Sequence, residues 1–172
     1  MYPQLVLSLV LAAAPFTQAP ATQKPAAPAT QKPAADTAKA APAAKGVRTV
    51  EIVGTEDMKF SMASIAAKPG EQLRIRLVAK GAMPKIAMAH NFVLLVKGAK
   101  VVDFVTAAMN ARATDFIPAE KKADIVAHTA LAGAGETVEV TFKVPAAAGE
   151  YPFLCSFPGH YQAGMKGSLV VK

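Results

Sequence analysis

From about Gly46 to the C-terminus, apolar and polar residues alternate in short runs broken by glycine and proline. No other feature of the 172 residues constrains the fold as much. Successive side chains of an extended strand point to opposite faces, so a period of two describes sheets with one dry face and one wet face. In EQLRIRLV, Leu73, Ile75 and Leu77 face one way while Arg74 and Arg76 face the other; in TVEVTFKV the inward set is Val138, Val140, Phe142 and Val144. Further strands are expected over 47–53, 91–96, 151–155 and 167–171. Turn signals stand at Lys68-Pro69-Gly70, Lys97-Gly98, Gly133 to Gly135 and Ala148-Gly149. Six or more short strands punctuated in this way predict an all-β fold, a sandwich or Greek-key barrel. Residues 101–127 break the pattern: VVDFVTAAMNAR has helical propensity and no alternation, so a short helical insertion between strands is expected there.

The N-terminal part of the chain is different in kind. Residues 5–14 form an apolar stretch followed by small residues, the arrangement of a secretory signal, which is expected over 1–21 and implies export. This segment has no Lys or Arg, its Ala19-Pro20-Ala21 end is an awkward cleavage pattern, and no cysteine follows it to carry a lipid. A buried N-terminal helix is the competing reading, but Pro15 and the tail beyond it leave such a helix nothing to pack on. Six of the 13 prolines lie within 15–45, where ATQKPAAP (21–28) is repeated as ATQKPAAD (29–36). Beyond Phe16 this region offers no aromatic or branched aliphatic side chain to offset the entropy of ordering. A disordered Ala/Pro-rich linker is therefore expected over 22–45, ahead of a folded domain over 46–172.

Composition removes several functions. Lys and Arg outnumber Asp and Glu by 19 to 12, but Lys24, Lys32, Lys39 and Lys45 of that excess lie in the tail. The longest basic run is Lys121-Lys122, with no aromatic interleaving, so nucleic acid is not an expected partner. No apolar run reaches the roughly 18 residues of a spanning helix, which leaves membrane proximity through the tail as the expected limit of contact with a bilayer. A single cysteine, Cys155, excludes an internal disulfide framework and any multi-thiolate zinc site. Nothing in the chain supplies a nucleophile with its base or a phosphate-cradling glycine loop, so no enzyme activity is expected.

The chemistry is concentrated near the C-terminus. YPFLCSFPGHYQAGMKGSLVV places Cys155, His160 and Met165 on one loop between two strand-like segments. Taken singly, a cysteine or methionine is commonly core and a histidine commonly a surface residue. Together, a thiolate, an imidazole and a thioether within eleven residues suit copper, because the sulfur donors favour Cu(I) and imidazole accepts either oxidation state. A second imidazole would come from His90 or His128. His90, in MAHNFVLLV at the start of a strand, has the more rigid platform; His128, in VAHTALAG, leads toward a turn.

At these residues the chain resembles the cupredoxins, and among them the azurin and auracyanin group of blue-copper proteins. MPKIAMAHNFVLL is similar to the segment that carries that group's first histidine, IVAHTALAGAGETVEVTF to the one before its penultimate strand region, and CSFPGHYQAGMKGSLVV to its ligand loop. The resemblance covers about residues 46–172. It implies a cupredoxin-like Greek-key sandwich holding one type 1 copper ion, with His90, Cys155 and His160 as equatorial ligands and Met165 as the weak axial one. It also implies that the Ala89 carbonyl approaches from the opposite side, that Asn91 ties the two ligand-bearing loops together, and that the Phe157 N–H points at the Cys155 sulfur. His128 then stands outside the ligand set. Four residues, YQAG, separate His160 from Met165, as in plastocyanin-like loops, where azurins typically have three. The azurin disulfide is missing, Ala79 replaces a histidine that titrates with redox state, and Phe92 occupies the core position after His-Asn.

The resemblance implies a monomeric electron carrier of the bacterial periplasm, cycling between Cu(II) and Cu(I). It would meet transient redox partner proteins near the outer edge of His160, within an apolar rim of Met83, Met88, Phe157, Pro158 and Ala163. A copper storage or delivery protein is the alternative. It would bind Cu(I) without the intense visible band of a blue site.

Overall fold

A computed structural model describes residues 46–172. The signal segment over 1–21 and the linker over 22–45 lie outside the described residues. The described chain forms nine strands: β1 (Val47–Thr55), β2 (Lys59–Phe60), β3 (Ser64–Ala67), β4 (Gln72–Ala79), β5 (Val93–Leu95), β6 (Ile125–His128), β7 (Thr137–Lys143), β8 (Gly149–Leu154) and β9 (Lys166–Val171). Two helices join them, α1 (Val101–Ala108) and the single turn α2 (His160–Ala163). One sheet has the order β2-β1-β4-β7 and the other β3-β9-β8-β5-β6. The β1–β4 and β3–β9 pairs are parallel; the rest are antiparallel.

The alternation in β4 works as the period requires. Leu73, Ile75 and Leu77 are completely buried while Arg74 and Arg76 lie on the outer face, each within 4 Å of the Glu139 carboxylate across the β4–β7 pair. On β7, Phe142 is buried and Val138 and Val140 are partly buried against the same core, with Val144 just beyond. Ile52, Phe92, Leu94, Phe153 and Leu169 complete this core between the sheets. Burying side chains of this size contributes about 1.5–3 kcal/mol each.

β5 explains why NFVLLV is continuously apolar. Leu94 enters the core between the sheets, whereas Val93 and Leu95 face the other way into a second cluster with Phe104, Val105 and Ala108 of α1. Both faces of this strand are therefore dry, one against the opposite sheet and one under the insertion.

The insertion itself is shorter than the sequence predicts. Helix α1 ends at Ala108, and two 3-10 turns follow at Arg112–Thr114 and Ala119–Asp124. Residues 125–127, expected to be helical, are instead the start of β6, which pairs antiparallel with the edge of β5. Local propensity gives way there to unpaired backbone on β5, which only a strand can satisfy. Strands β2 and β3 escape sequence reading because two and four residues carry too little periodicity; β3 exists through parallel pairing with the distant β9. Three of the turn signals hold, with glycines 70, 98 and 135 at φ of 74°, 77° and 79°; the fourth is displaced, its bend at residues 146–147 and Gly149, at φ of 137°, opening β8. Among the described residues no helix is long and apolar enough to cross a membrane.

Candidate metal centre

The ends of three strands position the site. His90 precedes β5 and is fixed by paired backbone bonds with Ala132, His90 N–H to Ala132 O and Ala132 N–H to His90 O, both 2.8 Å. Cys155 follows β8 directly, and His160 opens α2. Gly159 and Gly164, at φ of 84° and 102°, cap this single helical turn at both ends in the left-handed conformation that favours glycine. Met165 stands at the head of β9. The loop closes on itself through Met165 N–H to His160 O (2.9 Å) and Cys155 N–H to Met165 O (3.1 Å).

The structure brings His90, Cys155 and His160 together: their donor atoms lie within 4.8 Å of one another. The two Nδ1 atoms are 3.3 Å apart, and His160 Nδ1 is 3.5 Å from Cys155 Sγ. All three side chains are buried, and so is Met165. The Ala89 carbonyl lies 4.0 Å from Cys155 Sγ. His128 stands apart, exposed on β6 with its Nδ1 3.1 Å from the Thr129 carbonyl.

Burial sets the electrostatics. It pushes the Cys155 thiol up to about 12, against the opposing effect of the Asn91 and Phe157 N–H groups that point at the sulfur. Burial likewise lowers His160 to about 4, with the nearby His90 adding to the shift. His90 is lowered by burial as well, and the Glu56 carboxylate partly offsets this. At neutral pH both imidazoles are thus uncharged, with lone pairs available. The thiol, by contrast, needs a nearby cation to ionise. Two backbone donors already aimed at the sulfur suit a thiolate. One soft thiolate and two neutral imidazoles converging in a dry site fit copper by donor chemistry.

Asn91 joins the two ligand-bearing segments. Its Oδ1 accepts from the Ser156 N–H (2.8 Å), and its Nδ2 donates to Ser156 Oγ (2.8 Å) and, more weakly, to the Asp115 carbonyl (3.5 Å). Ser156 is the partner that sequence reading did not single out; its place directly after Cys155 was the available signal. Around His160, the Phe157 ring lies 4.8 Å from the imidazole centroid, and Phe116 packs edge-on against Phe157 at 5.1 Å. Of the rim residues, Met83 is 42% exposed, Pro158 is exposed, and Met88, Phe157 and Ala163 are partly buried. Ile86, 75% exposed and lining a groove with Phe116 and Phe157, is a further apolar surface residue beyond the expected rim.

The sequence profile of the copper binding proteins of the plastocyanin/azurin family matches residues 47–172. Auracyanin-B of Chloroflexus aurantiacus is 38% identical over 126 residues, covering 72% of this chain and 52% of that protein. Azurin of Alcaligenes faecalis is 37% identical over 126 residues, covering 70% of this chain and 94% of the relative. The matched chain thus spans about half of the first of these relatives and nearly all of the second. Among solved structures, auracyanin A of Chloroflexus aurantiacus superposes with a TM-score of 0.66 at 36% identity over 74% of this chain and all of its own. Dithionite-reduced auracyanin of Roseiflexus castenholzii gives 0.64 at 31% identity, over 72% and 96% of the two chains.

Proposed function

Because the chain belongs to the plastocyanin/azurin family of copper-binding proteins, whose azurin and auracyanin members are blue-copper electron carriers, we propose that it shuttles single electrons between redox partners in the bacterial cell envelope. His90, Cys155 and His160 would hold one type 1 copper ion, with the Met165 thioether as a weaker fourth donor. Bound copper supplies the one-electron Cu(II)/Cu(I) couple. The observation that carries this reading is the convergence of His90 Nδ1, His160 Nδ1 and Cys155 Sγ in a buried site.

The chain's own contribution is to hold these donors still. Electron transfer is fast when few atoms move between oxidation states. His90 is held by its backbone pairing with Ala132, and the Cys155–Met165 loop by its own closing bonds. The bonds between Asn91 and Ser156 keep the two segments in register. The N–H groups of Asn91 and Phe157 withdraw charge from the sulfur, which favours the reduced state and raises the potential. With copper bound, electrons would leave at the edge of His160, against which the Phe157 ring packs, and an apolar rim of Phe157, Pro158, Met83, Met88 and Ala163 would be where a partner docks briefly. The carrier turns over no substrate of its own.

Titrating apo-protein with cupric ion tests the assignment. An intense visible band, the EPR signature of a type 1 site and a reversible one-electron potential support it. Binding of Cu(I) without that band supports the storage or delivery alternative.

A further inference from the structure

The hairpin of β1 and β2 contributes no donor atom to the proposed ligand set, yet it touches the ligand loop at two places. Gly54, near the end of β1, lies directly against the site: a Cβ built there would fall 3.0 Å from Met165 Cε and 3.1 Å from both Cγ and Cδ2 of His90. Its φ is not in the left-handed region, so the backbone does not require glycine at this position; the space does. Five residues on, across the Thr55↔Lys59 pair, the Lys59 ammonium donates to the Ala163 carbonyl at the C-terminal end of α2. The same ammonium borders Gly164, the last residue before Met165. A cation at that position also complements the partial negative charge of the unpaired carbonyls that end a helical turn.

We propose that Gly54 and Lys59 are positioning residues for the Met165 thioether. Gly54 provides the floor: with no side chain, it lets the Met165 methyl and the His90 ring rest directly on the β1 backbone. Lys59 provides the tie: it pins the end of the four-residue span between His160 and Met165 to β2, so that the span returns to β9 along one path. This rests on the reading of Met165 as the axial ligand. The division of labour follows from the packing, since a terminal methyl yields easily whereas an imidazole held by backbone pairing does not. A side chain at position 54 therefore displaces Met165 before it displaces His90.

The test compares copper-loaded wild type with the variants Gly54→Ala, Lys59→Met, Lys59→Arg, Met165→Leu and Gly54→Ala/Met165→Leu by visible and EPR spectroscopy and by potential. Thermal unfolding of each apo-protein serves as the structural control. Gly54→Ala is expected to shift the visible band and the copper hyperfine splitting, and to add little once Met165 is already Leu. Lys59→Met is expected to shift the same spectrum and to speed loss of copper to a chelator about threefold or more, with Lys59→Arg restoring both. A Met165→Leu spectrum identical to wild type would remove Met165 from the ligand set, and this proposal with it. If Met165→Leu shifts the spectrum but Lys59→Met does not, the role of Lys59 is overturned while the ligand reading stands. If Gly54→Ala has no effect, or has its full effect in the Met165→Leu background, the role of Gly54 toward the thioether is overturned. Should Gly54→Ala fail to fold, Lys59→Met, on the exposed face of β2, still decides the tie.

Discussion

At the scale of single residues, Asn91 has the widest reach. Its amide makes two 2.8 Å bonds to Ser156 and sits completely buried. Asn91→Leu leaves the Ser156 N–H buried without a partner, so the apo-protein should lose about 1–3 kcal/mol of stability in urea titration and the copper potential should move. Ser156→Ala removes only the hydroxyl and should cost less, about 0.5–1.5 kcal/mol. An Asn91→Leu potential equal to wild type would deny the side chain any role in the site beyond packing. His-Asn stood out in the sequence because its pairing with Cys, His and Met is chemically improbable by chance. Ser156 did not, because a serine in a loop carries no signal until its partner is seen. Titration at this scale is clearest at Glu136. Lys85 (2.7 Å) and the Gly133 N–H (2.9 Å) hold its carboxyl below the usual carboxylate range. A group whose folded pKa is depressed stabilises above its unfolded value and stops doing so as pH falls through the folded one. Wild-type apo-protein should therefore unfold at slightly higher temperature than Glu136→Gln at pH 7, with the gap closing below about pH 4. The pair is half exposed, so the difference should stay within about 0.2–1 kcal/mol.

At the scale of elements, β5 and α1 form one unit. Val93 and Leu95 are dry in a cluster to which α1 contributes Phe104, Val105 and Ala108. Phe104→Ala opens that contact and should cost about 3–5 kcal/mol in chemical unfolding. The copper spectrum of the protein that remains folded should keep its band position, because the donors hang from the ends of β5 and β8 and from the loop, and none of them belongs to the cluster that Phe104 packs in. A shifted band would mean that the insertion shapes the site. The strongly alternating strands β4 and β7 were legible in the sequence because each buries one face against one core. β5 was legible as apolar but not as two-faced, since a continuous apolar run does not say what covers each side. The end of the insertion was misjudged for a related reason: residues 125–127 become a strand only where the edge of β5 presents unpaired backbone to them.

At the scale of the whole molecule, metal and fold are linked. Cys155, His160 and Met165 share one loop, whereas His90 joins them only in the folded state, so copper is expected to bind the native protein better than the unfolded one. At a free concentration one hundred times Kd this linkage contributes about 2.7 kcal/mol. Stripping copper with a chelator should lower the unfolding temperature, and restoring it should reverse the loss; equal midpoints would mean that the unfolded chain holds the ion as well. The amino-acid sequence by itself determined the all-β class, the faces of its longer strands, most of its turns, and the identity of the residues able to hold copper. These are local matters of period and side-chain chemistry, readable within a few residues. Only the tertiary structure decided that Ser156 answers Asn91 and that Gly54 and Lys59 bear on the ligand loop. Each of these depends on which distant segments pack side by side, and spacing along a chain carries no measure of distance once the chain has folded back on itself.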